Sequence, residues 1–241
     1  MNSTDLSIAT MTWARDAGEE ALLRRSLGLL AGLGIPVFVT DGGSPAPFLD
    51  FLRGLPLVTV LAPPKPGLWM QTRTSLRTAH EAGTPFVLYT EPDKADFFAQ
   101  FLPQLLAEAA GDDGLGVLRF ARSDRGFASF PAFQQMTETA INGCCREVIG
   151  EAADYVYGPF LLNRAVVPHL ETLPETIGWG WRPYAFNLAR RLGYRVGAVT
   201  GDFACPADQR HDTPAERLYR MRQLTQNIEG LTLSTTAALA R

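Results

Sequence analysis

The sequence of 241 residues predicts an α/β protein in which helices flank a mostly parallel sheet. Short apolar runs typical of buried strands alternate with segments whose apolar residues recur at helical spacing. The first two of these strands are joined by a single helix with short connections, and a crossover of this kind favours parallel strands. The run Phe-Val-Leu-Tyr at 86–89 is apolar throughout, as a central parallel strand is, and clustered acids follow it closely.

The first strand, helix and second strand have clear boundaries in the sequence. Residues 7–12 form the first predicted strand. Asp16, followed by a glutamate three residues later, is typical of a helix start, and leucines then recur at helical spacing until Gly34 ends the helix. The second predicted strand, 37–40, runs into Asp41, so a carboxylate follows a buried strand directly.

The alternation continues through most of the chain. The further predicted strands are 57–61, 86–89, 116–121, 154–161 and 196–199. The further predicted helices are 47–53, 70–80, 97–106, 163–170, 179–191 and 214–227. Pro103 is expected to kink or split the helix that contains it, whereas 122–150 shows no clear pattern of either kind. Because no linker or internal repeat interrupts the chain, we expect one domain, 1–241, with functional halves at 1–121 and 122–241.

The composition argues against several broad classes of protein. A net charge of −3 and a pI near 5.7 argue against a nucleic-acid binder that relies on a basic face. No apolar run approaches the roughly 18 residues that a transmembrane helix needs. Residues 1–6 lack both a basic start and an apolar signal core, which predicts a cytoplasmic protein. The three cysteines lack the number and spacing of a disulfide framework or a zinc site, so we interpret them as free thiols.

Two carboxylates, Glu91 and Asp93, stand two residues apart just after the strand at 86–89. Ligands bind at the carboxyl ends of the strands in open α/β sheets. Hard divalent cations take oxygen ligands and keep positions open for phosphates, so this pair is a candidate seat for Mg²⁺ or Mn²⁺. The same residues also fit the first turn of a helix, where acids are favoured and Pro92 suits the first position. The residues alone leave both interpretations open.

The layout of the chain resembles the GT-A glycosyltransferases, which have the nucleotide-diphospho-sugar transferase fold. The residues that carry the resemblance are Asp41 after the second strand, Lys65 in a proline-rich loop, Arg73 on the next helix, and the acid pair Glu91 and Asp93. The resemblance covers most of the chain. It implies a three-layer, Rossmann-like α/β architecture with a nucleotide-sugar site.

In that family the first two strand ends hold the base and ribose of the donor, such as a UDP- or GDP-sugar. The resemblance therefore implies that Thr12, Trp13 and Asp41 contact the nucleotide. Glu91 and Asp93 correspond to the family's Asp-x-Asp motif, which binds a divalent metal and the diphosphate. The glutamate at the first position departs from that motif.

Three further residues are candidates on the donor side. Lys65 and Arg73 are candidates for contact with the diphosphate, although each also fits an ordinary surface position. His211 lies in a late loop, where several retaining relatives place a histidine that completes the metal site. An exposed loop histidine without a ligand is the alternative interpretation of His211.

The segment 178–181, Gly-Trp-Gly-Trp, is similar to the start of the acceptor-side helix in such enzymes. Trp179 and Trp181 are candidates for a platform under an acceptor sugar, and Arg182 is a candidate for binding an acidic acceptor. The tryptophans suit the packing of a helix start equally well. Many inverting members place an acid directly before this helix, and the nearest acid here is Glu175, which favours a retaining enzyme.

The function that the sequence predicts is metal-assisted sugar transfer from a nucleotide sugar to an unknown small-molecule acceptor. A glycosyltransferase-like binding protein that has lost catalysis is the alternative, because it also accounts for Glu91 and for the missing acid. A nucleotidyltransferase is disfavoured, since 11–18 supplies one glycine and no lysine after the first strand. A dinucleotide-dependent oxidoreductase is disfavoured because no Gly-x-Gly-x-x-Gly follows that strand.

Overall fold

The computed structural model describes residues 5–109 and 113–239. These residues form seven strands, β1 to β7 in chain order: Leu6–Thr12, Val37–Asp41, Val58–Leu61, Phe86–Tyr89, Leu115–Arg122, Phe160–Asn163 and Arg195–Gly201. Nine α-helices, α1 to α9, accompany them in the described residues: Ala17–Ala31, Ala46–Gly54, Leu68–Glu81, Ala95–Gln100, Leu102–Glu108, Asp124–Ala128, Ala132–Ile149, Trp181–Arg191 and Pro214–Thr236. Short 3-10 helices cover Arg164–Leu170, Glu175–Gly180 and Ala207–Gln209.

The chain divides into two units. The first comprises Met1–Asp113 and Pro159–Glu171, and the second comprises Gly114–Gly158 and Thr172–Arg241. The bounds of the two units therefore differ from those of the predicted functional halves, because β5 falls in the second unit and β6 in the first.

The first unit contains five strands in the order β3, β2, β1, β4, β6. The pairs β1–β2, β2–β3 and β1–β4 are parallel, and β6 pairs antiparallel with β4. Every residue of β4 is buried, as its uniformly apolar sequence predicts. The four parallel strands all end at one edge of this sheet, so the segments that follow them lie along the same edge.

In the second unit β5 and β7 form a parallel pair. The predicted α/β class with a mostly parallel sheet flanked by helices is therefore confirmed. The helix α9 packs closely in this unit against Gly180, the residue directly before α8, through Gly230. A Cβ atom on Gly230 would lie 1.9 Å from the carbonyl oxygen of Gly180, so the two backbones touch.

Of the two outcomes expected at Pro103, a kink or a split, the structure shows the split. The predicted helix 97–106 is divided at Phe101, which ends α4 and precedes α5. Pro103 occupies the first turn of α5, where the missing N–H of a proline costs no helical hydrogen bond.

The predicted strand 154–161 is wrong for most of its length, because β6 begins only at Phe160. The carboxylate of Asp154 accepts the backbone N–H of Val156 at 3.1 Å and that of Arg122 at 3.2 Å. Side-chain hydrogen bonds thus replace strand pairing around Asp154, and Gly158 with φ of 119° turns the chain before Pro159.

The absence of a pattern in 122–150 has a physical cause. This segment forms α6 and α7, and three of the residues that α7 buries are polar: Gln134, Thr137 and Glu138. A helix whose buried face is half polar gives no apolar periodicity. The predicted helix 214–227 is longer in the structure, where α9 extends to Thr236.

No helix in the part of the chain that the structure describes is both long and apolar enough to span a bilayer. The prediction of a cytoplasmic protein depends on the N-terminal residues, of which 1–4 lie outside the described residues, and it stays a prediction.

Candidate functional site

The ends of β1 and β2 are joined by hydrogen bonds at the edge of the first unit's sheet. The carbonyl oxygen of Thr12 accepts the N–H of Gly42 at 2.8 Å and the side-chain amide of Gln71 at 3.1 Å. The same amide lies 3.4 Å from the carbonyl oxygen of Thr40. Thr12 and Asp41 pair directly across the two strands, so the two residues predicted to contact a nucleotide are neighbours.

The carboxylate of Asp41 is only 8% exposed and binds its own loop. Its Oδ1 accepts the N–H groups of Gly43 at 2.8 Å and Ser44 at 2.7 Å, and its Oδ2 accepts the hydroxyl of Ser44 at 2.5 Å. The Ser44 hydroxyl in turn accepts the N–H of Ala14 at 2.8 Å. Asp41 therefore organises the turn that follows β2, and its predicted contact with a ribose stays a prediction.

Trp13 follows β1 directly and its side chain is 52% exposed, although Thr12 and Ala14 on either side are buried. The guanidinium carbon of Arg15 lies 5.7 Å from the centre of the Trp13 ring. A large ring at the carboxyl edge of a parallel sheet, held between two buried residues, offers an apolar surface on which a planar base can stack.

Lys65 and Arg73 differ in their surroundings. Lys65 lies in the exposed loop that follows β3, at the same edge of the sheet as Trp13. Arg73 is half-buried on α3, and its Nε lies 3.8 Å from a carboxylate oxygen of Glu171. Contact of either side chain with a diphosphate stays a prediction.

Glu91 and Asp93 follow β4, the strand next to β1, in the loop before α4. Glu91 is 9% exposed, and Oδ1 of Asp93 lies 3.6 Å from the Lys94 ammonium. The alternative that these acids start a helix is wrong, because α4 begins at Ala95 and the acid in its first turn is Asp96. The pair lies instead at the carboxyl edge of the sheet.

Within the described residues, no group of three or more histidine, cysteine, aspartate or glutamate side chains is placed to hold a metal ion. Mg²⁺ is commonly bound through one or two carboxylates together with substrate phosphates and water. The pair Glu91 and Asp93 fits that pattern, in which the cation arrives with a diphosphate. His211 is exposed in the loop between Ala207–Gln209 and α9, and its role as a third ligand stays a prediction.

The predicted acceptor residues are more buried than a sugar platform requires. Trp181 is fully buried and belongs to the core of the second unit. The Trp179 indole N–H donates to the Tyr219 hydroxyl at 2.9 Å, and the Arg182 guanidinium carbon lies 4.6 Å from the centre of the Trp179 ring. Arg182 also donates to the carbonyl oxygen of Val156 at 3.4 Å.

A buried ion network in the second unit connects β5 to α7. The Arg122 guanidinium donates to Glu138 and Asp154, each at 2.6 Å, and lies against the rings of Phe127 and Phe130. Burial alone would raise the pKa of Asp154, but the charge and hydrogen bonds of Arg122 outweigh it and hold that pKa below its usual range. Each charged group in this network has a partner of opposite charge, so we interpret the network as one that stabilises the fold.

The cysteines are free thiols, as predicted: Cys144 is exposed, and Cys145 and Cys205 are buried. Burial raises the pKa of Cys145 to about 12, so this thiol stays protonated and is a poor nucleophile.

Ser44 and Gln71 are the site residues that the sequence analysis does not identify. The Asp-Gly-Gly-Ser sequence after β2 is a turn signal in which an aspartate commonly binds backbone N–H groups, so Ser44 had a detectable signal. Gln71 had none, because an amide on a helix carries no spacing that indicates which carbonyl groups it will reach.

No family model and no curated protein matches this chain. Several solved structures share its fold. One is glucosyl-3-phosphoglycerate synthase from Mycobacterium tuberculosis in complex with phosphoglyceric acid, with a TM-score of 0.65 and 16% identity over 98% of this chain and 82% of that chain. The same synthase in complex with Mn²⁺, UDP-glucose and phosphoglyceric acid has a TM-score of 0.65 and 16% identity over 98% of this chain and 81% of that chain.

A third structure of that synthase, in complex with Mg²⁺ and UDP, has a TM-score of 0.62 and 16% identity, covering 98% of this chain and 81% of that chain. At this level of identity the likeness shows the fold. The predicted GT-A, Rossmann-like fold is therefore confirmed for this chain.

Proposed function

We propose that this chain, with its GT-A fold, is a glycosyltransferase that moves a sugar from a nucleotide-diphospho-sugar to a small-molecule acceptor with the help of a divalent cation. The observation that carries the proposal is the agreement of the fold, over 98% of the chain, with a structure that holds Mn²⁺, UDP and a glucosylated product. The loop with Glu91 and Asp93 at the carboxyl edge of the sheet supports it.

On the donor side, Trp13 stacks on the base, and the strand ends at Thr12 and Asp41 surround the nucleoside. Lys65 and Arg73 provide positive charge for the diphosphate. Positive charge at this position stabilises the leaving group, because negative charge accumulates on the diphosphate as the sugar departs.

Glu91 and Asp93 hold the divalent cation, either Mn²⁺ or Mg²⁺, and His211 is the proposed third ligand. When bound, the cation neutralises charge on the diphosphate of the donor. Both carboxylates lie in the loop that follows β4, so a cation that they would hold would supply its positive charge at the carboxyl edge of the sheet. We propose a UDP-sugar as the donor, since the compared structures hold UDP or UDP-glucose.

On the acceptor side, we propose a small anionic acceptor that contacts Arg182 and Trp179. The compared synthase binds phosphoglyceric acid, and Arg182 supplies a guanidinium of the kind that binds carboxylates and phosphates. Both side chains are buried in the second unit, so the acceptor reaches them only if neighbouring chain moves aside. We propose a retaining reaction, because no acid directly precedes α8.

The first test is calorimetric titration of UDP and GDP into the protein with and without Mn²⁺. We expect UDP to bind with a strong dependence on Mn²⁺, and Asp93→Asn to weaken that binding about tenfold or more, as the loss of a charged ligand to the cation requires. Asp96→Asn is the matched control, because Asp96 is a nearby carboxylate inside α4. Failure of both nucleotides to bind would contradict the proposal.

The second test separates the enzyme from a glycosyltransferase-like binding protein without catalysis. Release of UDP from UDP-sugars is measured with a set of anionic acceptors, phosphoglyceric acid among them. Turnover that requires Mn²⁺ supports the transferase. Tight binding of UDP with no release from any UDP-sugar supports the binding protein.

A further inference from the structure

We infer that Asp41, Ser44 and Gln71 act as a clip that holds the Trp13 segment against the end of β2, and that Asp41 is a positioning residue and not a direct ligand of the nucleotide. The inference rests on the proposed function, since it concerns how the proposed nucleotide site is held in place. It assigns roles to Ser44 and Gln71 and changes the role expected of Asp41.

The first arm of the clip runs from Asp41 to the chain beside Trp13. Both carboxylate oxygens of Asp41 accept hydrogen bonds from its own turn, and the one from the Ser44 hydroxyl is short, at 2.5 Å. That hydroxyl donates to Asp41 and accepts the N–H of Ala14 at 2.8 Å. Asp41 therefore fixes the Ser44 hydroxyl, and Ser44 fixes the backbone that follows Trp13.

The second arm comes from α3. The Gln71 amide nitrogen donates to the carbonyl oxygens of Thr12 at 3.1 Å and Thr40 at 3.4 Å, one on each of the two strands. Gly42 lies over this amide, since a Cβ atom on Gly42 would come within 2.6 Å of Gln71 Nε2 and within 3.3 Å of Trp13 Cβ. The glycine lets the turn approach both residues closely.

The two arms hold the chain on both sides of one exposed ring. Thr12 and Ala14 are buried and form hydrogen bonds with residues of the clip, whereas the Trp13 side chain between them is exposed. A ring held in this way is preorganised for stacking, and preorganisation reduces the ordering cost of binding. Three hydrogen bonds from its own turn engage both oxygens of the Asp41 carboxylate, and the residue is only 8% exposed, which favours the positioning role over direct contact with a ribose.

A double-mutant cycle tests whether Asp41 acts through Ser44. The affinity for UDP is measured by calorimetry, in Mn²⁺, for the wild type, Asp41→Asn, Ser44→Ala and the double variant. We expect each single variant to weaken binding about fivefold, the size of one lost hydrogen bond, and the double variant to be no weaker than Asp41→Asn within about twofold. A direct ribose ligand predicts instead that Ser44→Ala is neutral within about twofold.

Gln71→Met tests the second arm, because methionine keeps the length of the side chain and removes the amide. Thr74→Val is the matched control, since Thr74 lies on the same helix, is equally buried and loses one hydrogen bond, to the Met70 carbonyl. We expect Gln71→Met to weaken UDP about fivefold and Thr74→Val to leave it unchanged. Equal effects of the two variants would overturn the role of Gln71.

A readout without nucleotide tests the positioning role itself. Acrylamide quenching of the Trp13 emission is measured for each clip variant, and we expect the quenching constant to change in Ser44→Ala and Gln71→Met but not in Thr74→Val. Failure of the wild type to bind UDP or GDP removes the proposed function, and this inference with it. Binding by the wild type together with unchanged affinity and quenching in the clip variants overturns this inference alone.

Discussion

At the scale of single residues, Trp13 differs from the other tryptophans in its exposure. Trp13 is about half exposed, whereas Trp69, Trp179 and Trp181 are buried. Acrylamide should therefore quench mainly the emission of Trp13. If a base stacks on this ring, saturating UDP should shield the accessible emission, because the base covers one face of the indole.

Two variants separate the fluorescence signal from the stacking. Trp13→Phe removes the quenchable emission and keeps an aromatic face, so UDP affinity should change little. Trp13→Ala removes both, and the affinity measured by calorimetry should fall about tenfold, since stacking of one base contributes roughly 1–3 kcal/mol. Unchanged quenching at a UDP concentration that saturates the protein would contradict the role of Trp13.

A second prediction concerns Asp154, whose pKa is held low by Arg122. Asp154→Asn should destabilise the protein by about 3 kcal/mol in urea unfolding, because among the described residues the buried guanidinium then keeps Glu138 as its one anionic partner. Asp212→Asn is the control, since its partner Arg217 is exposed and exposed ion pairs contribute little.

The ion pair of Asp154 with Arg122 also predicts how the stability of the fold depends on pH. A carboxyl group whose folded-state pKa lies below its unfolded value, near pH 4, stabilises the fold above that value and loses this contribution as the pH falls through the folded pKa. The difference in stability between wild type and Asp154→Asn should therefore be constant near neutral pH and shrink below about pH 4. A difference that grows towards acid pH would contradict the assigned direction.

At the scale of elements, periodicity predicted the parts of the fold whose buried faces are apolar. The buried strands β1, β2 and β4 and the helix α1 follow from apolar runs and cap residues that act locally. The pattern failed where buried polar groups pair with distant residues. Glu138 on α7 and Asp154 before β6 both bind Arg122, and no local pattern indicates such a partner.

The contact between α9 and the chain before α8 gives a prediction at this scale. Gly230→Ala should destabilise the protein by about 3 kcal/mol or more, because its Cβ would lie 1.9 Å from the Gly180 carbonyl oxygen and backbone atoms would have to move. Gly143→Ala on α7 is the matched control, since nothing lies within 4 Å of its Cβ.

The control variant, Gly143→Ala, should change the stability of the protein in the opposite direction. Alanine in a helix interior is favoured over glycine by roughly 0.5–1 kcal/mol, so Gly143→Ala should raise the melting temperature slightly. Thermal unfolding, monitored by circular dichroism, measures the change in melting temperature for both variants. A Gly230→Ala protein as stable as the wild type would show that the two backbones can separate without cost.

At the scale of the whole molecule, the sequence predicted which sheet edge carries the candidate donor residues but not how their side chains are engaged. The ends of β1, β2 and β4 share one edge because parallel strands run in one direction, and this follows from the order of elements. The inward turn of the Asp41 carboxylate depends on Ser44 and on the path of the loop. The bonds of Asp41 within its own turn are local, but the bond from Ala14 to Ser44 and the bond from Gln71 to Thr12 join distant parts of the chain, and spacing does not encode them.

Hydrogen exchange measured along the full chain tests the whole proposed donor site, including His211. With UDP and Mn²⁺ bound, we expect added protection in the segments of the first unit that follow its parallel strands: 13–16, 42–45, 62–67 and 90–94. Ligand binding slows local opening wherever the bound state is the closed one. Protection of the loop 204–213 that appears with UDP and Mn²⁺, and not with UDP alone, would support His211 as the third ligand.

The control for His211 is His211→Asn, which removes the imidazole and keeps a polar side chain. If His211 holds the cation, this variant should lose the Mn²⁺-dependent protection of 204–213 while the segments after β1 and β2 stay protected by the base and ribose. Protection of the loop that is identical in wild type and His211→Asn would instead assign the cation to Glu91 and Asp93 alone. That outcome is compatible with the absence, among the residues described by the structure, of any group of three metal-binding side chains.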